Sequence, residues 1–549
     1  MGEVLKTAAR GLAAWVDVTF VDLARQMRWS YLPPLMVYVA AGVSGLTAIV
    51  GTFFVKDYLG FSAAFLAGLS FWAGIPWALK MPLGHLVDLV WRWKALLVWA
   101  GAALIAASVL VMYALIAYTA PMTAIMPAEA WYVIAALLAP TGYVLQDVVA
   151  DAMTVEAVPV LDAAGNRFSE AEMKAMHTTM QTLGRFAIIS GTVAVAAVNI
   201  TLFQGVAEMA EAEKAAIYAD IYLMALAIPV ISIAGVTLGA LSLRRRARAL
   251  RAQGVDETRI EAALFAPEEA AKPNWWILGG SAVFVAFTLA MGVGEVPHAQ
   301  EIIFAGSMAI VLFLIHRLLL ELEPALRAPL VGTAIVIFVF RAMPLPGPGQ
   351  TWFEIDVLGF DQRFLSVLSL ITSVLALIGL VVLRPLMAER SIAWIVALLT
   401  VAAGVLSLPN IGLYYGVQEW TAAWTGGVVD AHFIALIDTA LESPLGQVAM
   451  IPMLAWIARN APEHLKATFF AVMASFTNLA LSASALLTRY LNEVFLVTRE
   501  VRDRATGALE VPADYSELGW LLIAVALIGL AAPLLTIAVV RASRFASTQ

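Results

Sequence analysis

Apolar stretches of about 20 residues recur along this chain from Tyr31 to Val540, each long enough to cross a hydrocarbon core of roughly 30 Å as a helix. Fourteen can be marked: 31–54, 62–79, 95–118, 131–156, 173–203, 217–242, 275–296, 301–320, 330–353, 363–385, 391–415, 429–457, 467–489 and 519–541. With 62% hydrophobic and 13% charged residues, the chain has too much apolar surface for a water-soluble fold. A barrel would show alternating ten-residue segments instead. In lipid, continuous apolar runs satisfy their backbone groups only as helices. The expected class is therefore an all-α polytopic membrane protein.

Several chemistries are excluded. The chain has no cysteine, so disulfides and thiolate sites are absent, and its six histidines are scattered rather than clustered as metal ligands. No GxxxxGKS/T phosphate loop, HExxH or GxSxG is present, so neither an enzyme, a bound cofactor nor nucleic-acid binding is expected. Residues 1–30 read as an amphipathic surface segment, with Trp15, Val18, Phe20 and Leu23 opposed to Arg10, Arg25 and Arg28.

Basic residues set the orientation. Lys80, Arg92 and Lys94, then Arg244, Arg245, Arg246, Arg248 and Arg251, and later Arg384, Arg390, Arg459, Lys466, Arg541 and Arg544 fall on one side, the expected cytoplasmic one, together with both termini. The long loop 490–518 on the other side mixes Arg499, Arg502 and Arg504 with six acids and reads as solvated.

An internal repeat divides the chain. Phe54–Ser70 aligns without gaps to Phe353–Ser369 at an offset of 299, with nine identities in seventeen positions, including Asp57/Asp356 and Gly60/Gly359. The repeat equates the hairpin after the first span with the one after the ninth. It predicts six-helix bundles at 31–242 and 330–541, a linker at 243–274 and two inserted spans at 275–320.

Charges inside a span cost about 2.5–3.5 kcal/mol each on insertion scales, which makes each a functional candidate. Asp147 and Asp151 lie four residues apart on the fourth span, and Asp438 and Glu442 repeat that spacing on the twelfth. Both pairs should face one side of their helix and suit proton or substrate handling, with ion pairing to a neighbouring helix as the alternative. Arg185 and Arg341 are expected near the midplane, as partners for these acids or for an anionic substrate. PLPGPG after Arg341 should break its helix. Lys80, at the end of the second span, reads first as an interfacial lysine. Asn478 is a candidate cavity donor.

Two family resemblances follow. Gly84-His-Leu-Val-Asp88 with Arg92 resembles the GxLxD…R motif of the major facilitator superfamily, departing from it at Leu89 and Trp91. The resemblance implies a gating role for Asp88. Four segments are similar to the folate/biopterin transporter family: 56–88, with Pro76, Trp77, Lys80, Gly84 and Asp88; DVVADAMTVE at 147–156; 353–379; and 461–480, with Pro462, Ala471 and Asn478. Lys466 and Val158 depart from that family's habit. The muropeptide permeases share part of the pattern. The resemblance implies a secondary transporter, proton-coupled, moving a small anionic folate- or pteridine-like solute. The expected mechanism is alternating access about a midplane cavity lined by spans four, five, nine and twelve, which carry the buried charges. The expected setting is the cell inner membrane, with a facilitator-shaped assembly factor as the contrasting reading.

Overall fold

The computed structural model describes residues 25–78, 80–159, 168–264, 275–293, 296–320, 324–383, 390–445, 466–502 and 509–546. The expected N-terminal amphipathic segment lies almost wholly outside them. The first six membrane helices are α1 (Trp29–Tyr58), α2 (Ala63–Val87), α3 (Lys94–Ala117), α4 (Ala128–Ala157), α5 (Glu170–Leu202) and α6 (Glu211–Ala252). A short helix α7 (Glu257–Leu264) follows. The inserted pair is α8 (Trp275–Val293) and α9 (Ala299–Leu320). The second half comprises α10 (Pro324–Arg341), α11 (Pro348–Asp356), α12 (Gln362–Val382), α13 (Ile392–Tyr414), α14 (Ala431–Glu442), α15 (Lys466–Val494) and α16 (Leu518–Ala542).

Every expected span falls on a helix. Among the described residues ten helices are by themselves long and apolar enough to cross a bilayer. The ninth span is divided between α10 and α11, and the twelfth is described only to Leu445. A two-strand ribbon, Val501–Arg502 with Leu509–Val511, is the one sheet among the described residues.

The halves meet through a cross-paired interface, with α2 packed on α15 and α5 packed on α12. Each contact joins the second helix of one half to the fifth of the other, as a duplicated fold with an axis along the membrane normal requires. The inserted α9 lies against α15 and also touches α2. There Phe71, Ile75, Ile303 and Leu486 form a small buried cluster. Within the first half α5 lies close against α1, where small residues admit close backbone approach in place of a hydrophobic driving force.

α6 runs ten residues past the expected boundary at 242, and the first part of the expected linker is therefore helix. α7 then folds back so that Ile260 and Leu264 bury against Ala247.

Candidate functional site

Three first-half helices build the central charged cluster. The i,i+4 spacing on α4 brings Asp147 and Asp151 onto one face, and Lys80 of α2 reaches both, at 2.6 and 2.8 Å. Tyr38 of α1 donates its hydroxyl to Asp151 at 2.8 Å. Tyr38 can lie there because α5 has glycine opposite its ring: a Cβ on Gly184 would sit 2.9 Å from the Tyr38 ring. The cluster is not sealed, since the side chains of Lys80, Asp147 and Asp151 are 29%, 21% and 47% exposed. Arg185 is exposed and close enough for its charge to act on Asp147 and Tyr38, with no ion-pair partner among the described residues.

This corrects two expectations. Lys80 does not reach for the interface; it pairs with both acids. The internal salt bridge considered for Arg185 is therefore made by Lys80. An ammonium with three donors, placed between two carboxylates one helical turn apart, satisfies both at once.

The second acid pair is built differently. Asp438 is 7% exposed, takes a hydrogen bond from Asn410 at 3.0 Å and leaves its other oxygen buried without a partner. Glu442 is exposed. No cation pairs with either among the described residues. Asp438 lies near enough to Glu354 of α11 for its charge to act on that carboxyl. Arg341 ends α10, and its Nε is buried with no hydrogen-bond partner. Asn478 of α15 donates to the Trp77 carbonyl of α2 at 3.3 Å, so it joins the halves.

One turn from Asp147 along α4, Tyr143 lines a cavity of ≈ 910 Å³ between the halves. The first helix of each half is interrupted beside it. α1 tightens to a 3-10 turn at Ser44–Thr47, and α10 stops at Arg341 before α11 resumes at Pro348. Shifted by the repeat offset of 299, residues 44–47 become 343–346, so the two breaks are equivalent positions. Ser44, Thr47, Leu345, Pro346 and Gly347 all line the cavity. Broken backbone at membrane depth must be satisfied by protein. α15 supplies this: Ser484 donates to the Met343 carbonyl at 2.6 Å, Thr488 accepts from Leu345 N–H at 2.9 Å, and Asn492 donates to the Pro346 carbonyl at 3.1 Å. Gly347 has φ +80, the left-handed region that favours glycine.

Spans four and nine therefore contribute to the cavity as expected, joined by spans one, two, three, six and thirteen. α5 and α14 supply none of its lining, because α5 is taken up by packing on α1 and α12.

The side carrying the 490–518 loop is closed by contacts between the halves. Lys56 of α1 pairs with Asp356 of α11 at 2.5 Å, and Tyr515 donates to the same carboxylate. Gln362 of α12 donates to Tyr218 of α6 at 2.7 Å. Arg499, expected to be solvated, is 2% exposed. Its guanidinium donates to the carbonyls of Val55 at 2.7 Å and Phe61 at 2.8 Å and to that of Lys56, and lies 4.6 Å from the Trp352 ring centre. The Val55 and Lys56 carbonyls belong to the last turn of α1; the Val55 oxygen also accepts from Leu59 N–H at 3.2 Å, and the negative end of the helix dipole favours a cation there.

At the opposite end, Lys94 pairs with Glu156 and lies 3.9 Å over the Trp91 ring, fixing the turn after α2 to the end of α4. Gly84 lies on the same stretch of helix, with open space where a Cβ would stand. The side chains of Asp88 and Arg92 lie outside the described residues.

The model of the BT1 family matches residues 41–548. The chain belongs to the BT1 family. A folate-biopterin transporter from Synechocystis sp. is 30% identical over 161 residues, 29% of this chain and 31% of that relative, so the match spans about a third of the relative's length. Among solved structures, a POT family transporter in complex with 5-aminolevulinic acid aligns at TM-score 0.58 and 10% identity, covering 94% of this chain and 96% of that one. A nucleoside transporter aligns at TM-score 0.52 and 10% identity, covering 93% and 99%. At that identity the likeness establishes the fold of this BT1-family chain: a multi-pass bundle of the major facilitator type.

Proposed function

We propose that this chain is a secondary transporter, driven by protons, of a small anionic organic solute of the folate or pteridine class. The observation that carries the reading is Lys80 held between Asp147 and Asp151, partly open to solvent, one turn from a cavity bordered by both interrupted helices. Two carboxylates and one ammonium leave a net charge of −1. A proton arriving at Asp151, the more exposed acid, cancels that charge and weakens its hold on Lys80 and Tyr38. Lys80 and Arg185, which has no ion-pair partner among the described residues, then become available to a carboxylate of the solute, so proton and anion enter together. Arg341, with its buried unpartnered Nε, is the second anion contact in this account. Tyr143, half-buried in the cavity wall, offers its ring to a flat heterocycle.

The cycle is alternating access: the halves rock about the cavity, and proton binding changes which side is favoured. Asp438 and Glu442 would tune the second half, Asn478 would hold α15 to α2, and Lys80, Gly84, Asp88 and Arg92 would gate the cytoplasmic side. The protein would lie in the inner membrane with both termini in the cytoplasm, as its basic loops favour.

The test is uptake by the purified protein in proteoliposomes, inside alkaline, of folate, biopterin and a muropeptide. Gradient-dependent uptake of either pterin is expected. Muropeptide uptake alone would replace the solute class, and no flux of any of the three would favour the assembly-factor reading.

A further inference from the structure

At the end of the bundle that carries the arginines of α6, a second cavity of ≈ 560 Å³ opens between the start of α1, the start of α3, the end of α4 and the end of α6, under α7. Its walls are apolar, formed by Pro33, Pro34, Met153, Val236, Leu243 and Leu264. Four cations and three carboxylates, Glu156, Glu257 and Glu261, also face it. Two of the cations are accounted for: Lys94 by Glu156, and Arg251 by Glu257 through two hydrogen bonds. Arg244 and Arg246 have no acidic partner among the described residues, and Arg28 adds a third positive charge close enough to act on Arg246. Arg246 is half-buried, so it is directed into the pocket rather than out to water.

One further carboxylate, Glu261, lines the pocket, and Arg244, Arg246 and Arg28 outnumber it; the group that best relieves the excess positive charge is a phosphate, whose oxygens match their planar forks. The apolar walls specify the remainder of the ligand. A soluble metabolite gains nothing from Pro34, Met153 and Leu264, whereas a glycerol backbone and the first carbons of acyl chains do. Basic pockets between helix ends at the membrane surface are suited to such headgroups.

We propose that this pocket binds a phosphate group flanked by apolar carbons, the headgroup of an anionic phospholipid, through Arg244 and Arg246. Bound there, the lipid ties α1, α4 and α6 together within a turn of Asp151, because Met153 of its wall lies on the same helix. The inference rests on the membrane setting and not on the identity of the transported solute.

The experiment uses the full chain, delipidated in detergent. Its thermal unfolding midpoint is followed while phosphatidylglycerol, phosphatidylcholine or inorganic phosphate is added. Phosphatidylglycerol should raise the midpoint of the wild type and of R245Q/R248Q, whose arginines are exposed and outside the pocket. The lipid concentration giving half the shift should rise about thirtyfold in R244Q/R246Q and about fivefold in R246Q. Should the double variant fail to fold, R246Q alone carries the comparison. Phosphatidylcholine as effective as phosphatidylglycerol, or arginine variants that respond like the wild type, would overturn the proposal. A shift with inorganic phosphate that R246Q loses would uphold the arginine site and assign it to a soluble phosphate.

Discussion

Removing the Arg499 side chain should open the side of the protein that the structure shows closed. In the closed state its guanidinium donates to three carbonyls and faces Trp352, almost completely out of water. A buried hydrogen bond involving a charged group contributes roughly 1.5–3 kcal/mol. Three sharing one guanidinium add less than their sum, and the freed carbonyls regain water once the halves part, so about 4 kcal/mol is a fair figure for Arg499→Ala. That corresponds to about a thousandfold in the ratio of open to closed molecules. Arg499→Lys keeps the charge but reaches fewer carbonyls, and should fall between. Because the chain has no cysteine, a single Thr351→Cys in the cavity wall reports opening without background. Its labelling by a membrane-impermeant maleimide, applied from the side of the 490–518 loop, should accelerate by two to three orders of magnitude on the scale of about 4 kcal/mol worked above. Unchanged labelling in Arg499→Ala protein that still melts cooperatively would refute the argument.

Other outcomes follow from the same geometry. Lys80→Met leaves two carboxylates without their cation, and gradient-driven uptake should fall about 100-fold or more, on the scale of 3–5 kcal/mol for removing one partner of a buried pair; near-normal uptake would show that the lysine is dispensable. Thr488→Val strips the acceptor from Leu345 N–H at the helix break and should destabilise by about 1–3 kcal/mol, read as a lower unfolding midpoint, while Thr425→Val at the exposed end of the short helix Val417–Thr425, where water replaces the bond from Val429 N–H, should not. Gly184→Leu drives side-chain atoms into the Tyr38 ring, so the KM for solute or the pH profile of uptake should shift even where the protein folds. Arg341→Gln should raise the KM for a dianionic solute more than for a neutral analogue; an equal change would remove Arg341 from anion recognition.

Much of this was legible in the sequence, because a bilayer imposes simple rules. Span lengths, the class and the duplication follow from apolar runs and one aligned hairpin, and PLPGPG announced the break after Arg341. Helical spacing placed Asp147 and Asp151 on a common face. Periodicity names a face but not the neighbour opposite it, which is why Lys80 was assigned to the interface rather than to the acids. The break at Ser44–Thr47 contains no proline and carries no strong local signal; only the offset of 299, applied to the break at 343–346, would have pointed to it. Arg499 was hidden for another reason. In a loop of mixed charge nothing distinguishes one arginine from the next, and its burial is decided by the carbonyls at the end of α1, more than 440 positions away. The equal spacing of Asp438 and Glu442 concealed a real difference, since burial and the Asn410 hydrogen bond depend on packing that spacing does not report.

The central claim is that the Lys80–Asp147–Asp151 cluster binds the proton that drives transport. It is tested most directly by recording internal pH with a trapped dye in proteoliposomes as the transported pterin is added outside, for the wild type and for Asp151→Asn. The account predicts substrate-dependent acidification in the wild type. In Asp151→Asn it predicts no acidification, with exchange of labelled for unlabelled solute retained. Equal acidification in both proteins, or none in a wild type that transports, would contradict it.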